Sequence, residues 1–106
     1  DCDEYYQMDT DILKDTLIKK RKNWDHCIII PVHLYGCASD IENIMHIAEE
    51  NDCWVIEDCS QAHGTTTING RPVGTFGHMA AFSMYPGKNL GAAGDATIVL
   101  IQSKQS

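Results

Sequence analysis

The chain has 106 residues, 43% hydrophobic and 22% charged, which allows one domain at most and excludes a disordered or collagen-like chain. Eight Lys and Arg against fifteen Asp and Glu leave a net charge of −7, which repels phosphate backbones and argues against nucleic-acid binding. No apolar run approaches the ~20 residues of a membrane-spanning helix, so no membrane partner is expected.

Asp1, rather than Met, opens the chain without a signal peptide, so the sequence reads as an excerpt of a longer protein. Asp9 or Thr10 caps a predicted helix whose apolar side carries Ile12, Leu13 and Leu17, with Lys19 to Lys22 at its positive C-terminal end. Ile28-Ile29-Ile30, entered from Cys27, run without alternation, as suits a strand covered on both faces. Ser39-Asp40-Ile41-Glu42 has the S-x-x-E form of a capping box. It opens a second predicted helix, with Ile41, Ile44, Met45 and Ala48 as one apolar stripe and Asn51 as its stop. Cys53-Trp54-Val55-Ile56 follows as another buried strand. Strand, capped helix and strand make a right-handed βαβ unit, so the fold class is α/β.

Asn69-Gly70, between Thr65-Thr66-Thr67-Ile68 and Arg71-Pro72-Val73, predicts a two-residue hairpin turn. Met79-Ala80-Ala81-Phe82-Ser83 is a short strand candidate, residues 86–94 are Gly-rich, and Thr97-Ile98-Val99-Leu100-Ile101 forms the last strand. The cysteines, Cys2, Cys27, Cys37, Cys53 and Cys59, are odd in number and contain no CxxC pair, which suits reduced thiols in the cytoplasm.

Ligands of open α/β sheets bind at the carboxyl ends of the strands, and the second strand ends in Glu57-Asp58. One of this pair is expected to face inward, where a carboxylate is costly unless it meets a cation. Read alone, Asp58 fits equally a residue capping the next turn. Lys88, in a Pro/Gly-bent loop five residues after Ser83, fits either a solvated loop lysine or a nucleophilic amine. Gly87-Lys88 lacks the P-loop frame, and Gly91-Ala92-Ala93-Gly94 lacks the dinucleotide fingerprint. His33, Cys37, Cys59 and His63 match no zinc module in spacing, so no metal is expected. His26, His46 and His78 carry no signal.

The strings Ile30-Pro31-Val32-His33-Leu34-Tyr35-Gly36, Val55-Ile56-Glu57-Asp58-Cys59-Ser60-Gln61-Ala62-His63-Gly64, Val73-Gly74-Thr75-Phe76-Gly77 and Phe82-Ser83-Met84-Tyr85-Pro86-Gly87-Lys88-Asn89-Leu90-Gly91-Ala92 occur in order. Together they resemble the DegT/StrS family of pyridoxal-phosphate-dependent sugar aminotransferases, of aspartate-aminotransferase (fold type I) architecture. The resemblance implies that residues 1–106 are part of the large cofactor-binding domain, a mostly parallel sheet with flanking helices, without its N-terminal segment and C-terminal small domain. It implies that Lys88 forms the Schiff base with the cofactor aldehyde and later moves the substrate proton. Asp58 would sit under the pyridine nitrogen and keep it protonated, which makes the ring an electron sink. Gln61 would lie beside the ring and its hydroxyl, and Ser83 would donate to the cofactor phosphate.

A related keto-sugar dehydratase carries histidine where Lys88 stands, so lysine favours transamination. The implied substrates are a nucleotide-linked keto-deoxysugar and glutamate, in a homodimer whose sites form between subunits. The family's upstream Gly-Thr phosphate loop and its ring-stacking aromatic are not in these residues, and Ala96-Thr97 departs from its usual small pair. Two other readings remain: a non-catalytic fragment retaining the α/β core, and a redox or metal module built on the cysteines.

Overall fold

A computed structural model of the chain describes residues 2–34, 37–62, 64–83 and 97–101. Helix α1, Thr10–Lys20, is capped by the Asp9 carboxylate, which accepts the amides of Asp11 and Ile12 at 2.9 and 3.0 Å. Lys19 and Lys20 close it, cations at the end where the helix carbonyls point outward. After a single 3-10 turn, Arg21–Asn23, strand β1 covers only Ile28–Ile29. It is shorter than expected because Pro31 has no amide to continue the ladder; pairing resumes at Val32, opposite Asp58.

Helix α2, Ile41–Glu50, buries Ile41, Ile44, Ile47 and Ala48, while Met45 packs at the margin of that cluster. The expected capping box does not form. Asp40 is the N-cap and makes no side-chain capping bond. The Ser39 hydroxyl lies instead 3.0 Å from both the Val32 carbonyl and Gln7 Oε1. A buried tertiary partner has displaced the local one. Asn51 does stop the helix, its amide donating to the Ile47 and Ala48 carbonyls.

Strands β2, Trp54–Asp58, and β3, Met79–Ser83, continue the sheet in parallel; β4, Thr97–Ile101, joins β3 antiparallel, giving the order β1-β2-β3-β4. The α/β class and the mostly parallel sheet are as the sequence implies. The hairpin differs. Gly70 donates to the Thr67 carbonyl at 2.9 Å, Thr67 donates to Arg71, and only Gly70 of the turn has positive φ, +81°. This is a three-residue loop closed by a left-handed glycine, because a two-residue turn of the primed type needs Asn69 at positive φ as well.

Alternation along the strands separates two faces. Ile29, Val55 and Ala80 are buried, the first two in one cluster with Leu17 and the apolar stripe of α2. Ile28, Ile30, Val32 and Trp54 point the other way and are 40–56% exposed. β1 is therefore covered on one face among the described residues, not on both, because α1 and α2 pack on the same side. No helix among the described residues is long and apolar enough to cross a membrane.

Candidate functional site

The tip of β2 is where the chemistry gathers. Neighbouring residues of a strand point to opposite faces, so Glu57 and Asp58 cannot share an environment. Glu57 is the inward one, with none of its surface exposed, and the cation expected beside it is replaced by four N–H donors. His33 Nε2 lies 2.9 Å from Oε1, which also accepts the Gly74 amide at 2.9 Å. Oε2 accepts the amides of Phe76 and Gly77 at 2.9 and 2.7 Å. Burial pushes the Glu57 carboxyl up, but the His33 bond and the amides of Gly77, Gly74 and Phe76 outweigh it, and the net shift is downward. The turn at 74–77 depends on glycine twice. Gly74 has φ +89°, and a Cβ on Gly77 would stand 2.9 Å from the Val55 carbonyl oxygen.

Asp58 occupies the other face, half-buried, with its Oδ1 accepting the Ser60 amide at 3.0 Å. That bond is the turn-capping role open to it from the sequence. It also fixes the carboxylate at the carboxyl end of the strand. In the β2–β3 register Asp58 stands opposite Ala81. Ser83, two residues further along β3, therefore shares its face, with Cα atoms about 8 Å apart from strand spacing and rise. Gln61 is exposed in the turn at 59–62 just beyond the tip. Lys88, His63, and the Gly-rich segment 86–94 lie outside the described residues.

Carboxylate and hydroxyl on adjacent parallel strands, one face, carboxyl ends outward: this donor set fits the cofactor that the resemblance implies. The carboxylate suits a protonated ring nitrogen, and the hydroxyl suits a phosphate.

His33, Glu57 and Cys59 form a second cluster, fully buried, whose possible ligand atoms lie within 4.8 Å of one another. It does not fit a metal. His33 Nδ1 accepts the Ser39 amide at 2.9 Å, so Nε2 carries the proton it gives to Glu57, and neither ring nitrogen has a lone pair to offer. Burial, then the charges of Glu57 and Asp58, push the Cys59 thiol up to about 12. It is a neutral thiol, not a ligand-ready thiolate. Cys27, Cys37, Cys53 and Cys59 are free thiols, and the exposed Cys37 is not a member of this cluster.

The Cys59 thiol of the folded full-length protein is expected to resist iodoacetamide at pH 8 and to react once urea unfolds it, as read by peptide mass mapping. Equal labelling in both states would contradict the burial. Because the folded value of about 12 exceeds the ordinary 9.0, the folded form holds the thiol proton more tightly. The contribution is complete below pH 9 and is lost as pH rises from 9 toward 12.

Sequence reasoning singled out Glu57 and His33 separately and missed that they meet. The available signal was strand alternation, which allows only one of two adjacent carboxylates to face the core. His78 was passed over as well; its Nδ1 accepts the Val55 amide at 3.0 Å beside the sheet.

The family model described as DegT/DnrJ/EryC1/StrS aminotransferase family matches residues 1–106. A UDP-N-acetyl-3-dehydro-alpha-D-glucosamine 3-aminotransferase of Acidithiobacillus ferrooxidans is 54% identical over 72 residues, 68% of this chain and 19% of that protein. The crystal structure of a DegT DnrJ EryC1 StrS aminotransferase from Brucella abortus superposes with TM-score 0.81 at 31% identity, over 95% of this chain and 28% of that one. A Bacillus subtilis structure with bound cofactor PMP superposes with TM-score 0.63 at 33% identity, over 74% of this chain and 17% of that one. The chain spans about a fifth to a quarter of the length of the curated relatives it matches.

Proposed function

This chain belongs to the DegT/DnrJ/EryC1/StrS aminotransferase family, and from that premise we propose that it is part of a pyridoxal-phosphate-dependent sugar aminotransferase. The reaction moves an amino group from glutamate to a nucleotide-linked keto-deoxysugar. The observation that carries this reading is that Asp58 and Ser83 share the open face of the sheet, near the carboxyl ends of two adjacent parallel strands.

When bound, pyridoxal phosphate supplies a ring that takes up the electron pair left as a substrate carbon loses its proton. The protein residues set the conditions for that. Asp58, held by the Ser60 amide, keeps a proton on the ring nitrogen through charge and hydrogen bonding. Ser83 would donate to the phosphate, and Gln61, exposed just beyond the strand tip, would lie beside the ring. Lys88 Nζ would hold the cofactor covalently and would take up the proton that the substrate carbon loses. A lysine at this position, where a related dehydratase has histidine, supports transamination. A homodimer supplies the rest of each site, and the free thiols support a reducing cytoplasmic setting.

The full-length protein is expected to carry a visible chromophore that borohydride fixes to the Lys88 peptide, as read by mass spectrometry. It is also expected to transfer label from 15N-glutamate to a UDP- or dTDP-linked keto-sugar. Label fixed on another lysine, or a colourless protein after incubation with pyridoxal phosphate, would overturn the reading.

A further inference from the structure

We propose that His33 is a positioning residue, a clamp that grips both members of Glu57-Asp58 and so sets the Asp58 carboxylate on the open face. This rests on the cofactor-holding role of Asp58 proposed above. The grip is double. The backbone amide of His33 donates to the Asp58 carbonyl at 3.0 Å, while the Asp58 amide donates to the Pro31 carbonyl at 2.9 Å. At the same time the side chain of His33 reaches under the strand to Glu57 at 2.9 Å. One residue thus holds the peptide of Asp58 and the carboxylate of its neighbour. Because the two side chains leave the strand on opposite faces, any rotation that swung Glu57 away would turn Asp58 with it.

His33 is itself locked. Its Nδ1 accepts the Ser39 amide at 2.9 Å, and the Ser39 hydroxyl lies 3.0 Å from Gln7 Oε1 and from the Val32 carbonyl. Gln7 Nε2 in turn reaches the Leu34 carbonyl at 3.3 Å. Gln7, His33, Ser39 and Glu57 are all buried, at 5% exposure or less. A buried polar chain of this length is costly unless every member is satisfied, and here each has a partner. Packing alone would be met by apolar side chains of similar size. What the polar chain adds is direction, since a fixed tautomer of His33 gives Glu57 one place to sit.

The test uses apoprotein of the full-length enzyme, as wild type and as His33→Leu, His33→Asn and His33→Gln. Pyridoxal phosphate is titrated into each, and the visible band of the bound chromophore is followed against pH. Leucine offers no donor, and asparagine is too short to reach Glu57. Both are expected to weaken cofactor affinity by about 10- to 100-fold, by analogy with the loss of groups that orient the side chains holding a metal. Both are expected to displace the pH midpoint of the band. Glutamine places an N–H where Nε2 stands and an acceptor for the Ser39 amide, so it restores most of the affinity and the midpoint. Apoprotein melting curves identify the folded variants; if the leucine variant does not fold, the asparagine–glutamine comparison decides.

Wild-type affinity and midpoint in the folded leucine or asparagine variant would overturn the proposal. Equal losses for asparagine and glutamine would overturn it too, since ring size rather than the donor would then matter. A wild-type apoprotein that takes up no pyridoxal phosphate is the distinct result that defeats the cofactor reading of Asp58, and the role of His33 with it.

Discussion

Asp58→Ala in the full-length protein is expected to lower kcat/KM for amino transfer by about 10²- to 4 × 10³-fold, with the fold retained. The magnitude follows from removing one member of the ion pair that bound cofactor would bury, a loss of about 3–5 kcal/mol, at about 1.4 kcal/mol per tenfold in rate. The backbone does not depend on this side chain: the Asp58 amide and carbonyl are bonded to Pro31 and His33 whatever the residue. Asp58→Asn separates charge from shape. It keeps an oxygen for the Ser60 amide, now bonded at 3.0 Å to Oδ1, but cannot hold a proton on the ring nitrogen. Its rate should fall with that of the alanine variant, while thermal melting of both stays near wild type. A wild-type rate in Asp58→Asn would remove Asp58 from the chemistry.

The neighbouring substitution should act on stability instead. Glu57→Ala or Glu57→Gln is expected to cost about 3–5 kcal/mol, read from the urea midpoint. Alanine leaves the His33 Nε2–H and the amides of Gly74, Phe76 and Gly77 buried without an acceptor. Glutamine is nearly the same size, yet its NH2 must face two of those donors, so it does not rescue.

Acid should expose the same group. The Glu57 carboxyl lies below its ordinary 4.5, since its donors outweigh the desolvation that raises it. The unfolded chain therefore binds this proton more readily than the folded one. The stabilisation is complete above pH 4.5 and disappears as pH falls through the lower folded value. Glu57→Gln should flatten that part of the acid-unfolding profile. An unchanged urea midpoint in both variants would mean that the buried carboxylate adds nothing to the fold.

Local patterns determined much of this protein. The β-branched run at Ile28-Ile29-Ile30, the apolar stripe from Ile41 to Ala48, and Asp9 before α1 fixed where the elements lie, because periodicity and capping act over a few residues. The ordered strings from Ile30 to Ala92 carry the family, and strand-end placement points to Glu57-Asp58. What local patterns could not decide was competition between distant partners. Ser39 reads as a helix cap but bonds Val32 and Gln7, and Asn69-Gly70 reads as a two-residue turn but closes a three-residue loop. The choice between Glu57 and Asp58 was likewise tertiary. Alternation dictates that they part, but only the four N–H groups brought together by His33 and the turn at 74–77 determine which carboxylate goes under the sheet and which stays at the site. A hydrogen-bond acceptor goes where donors converge, and donors from segments 17 to 24 residues away converge only once the chain has folded.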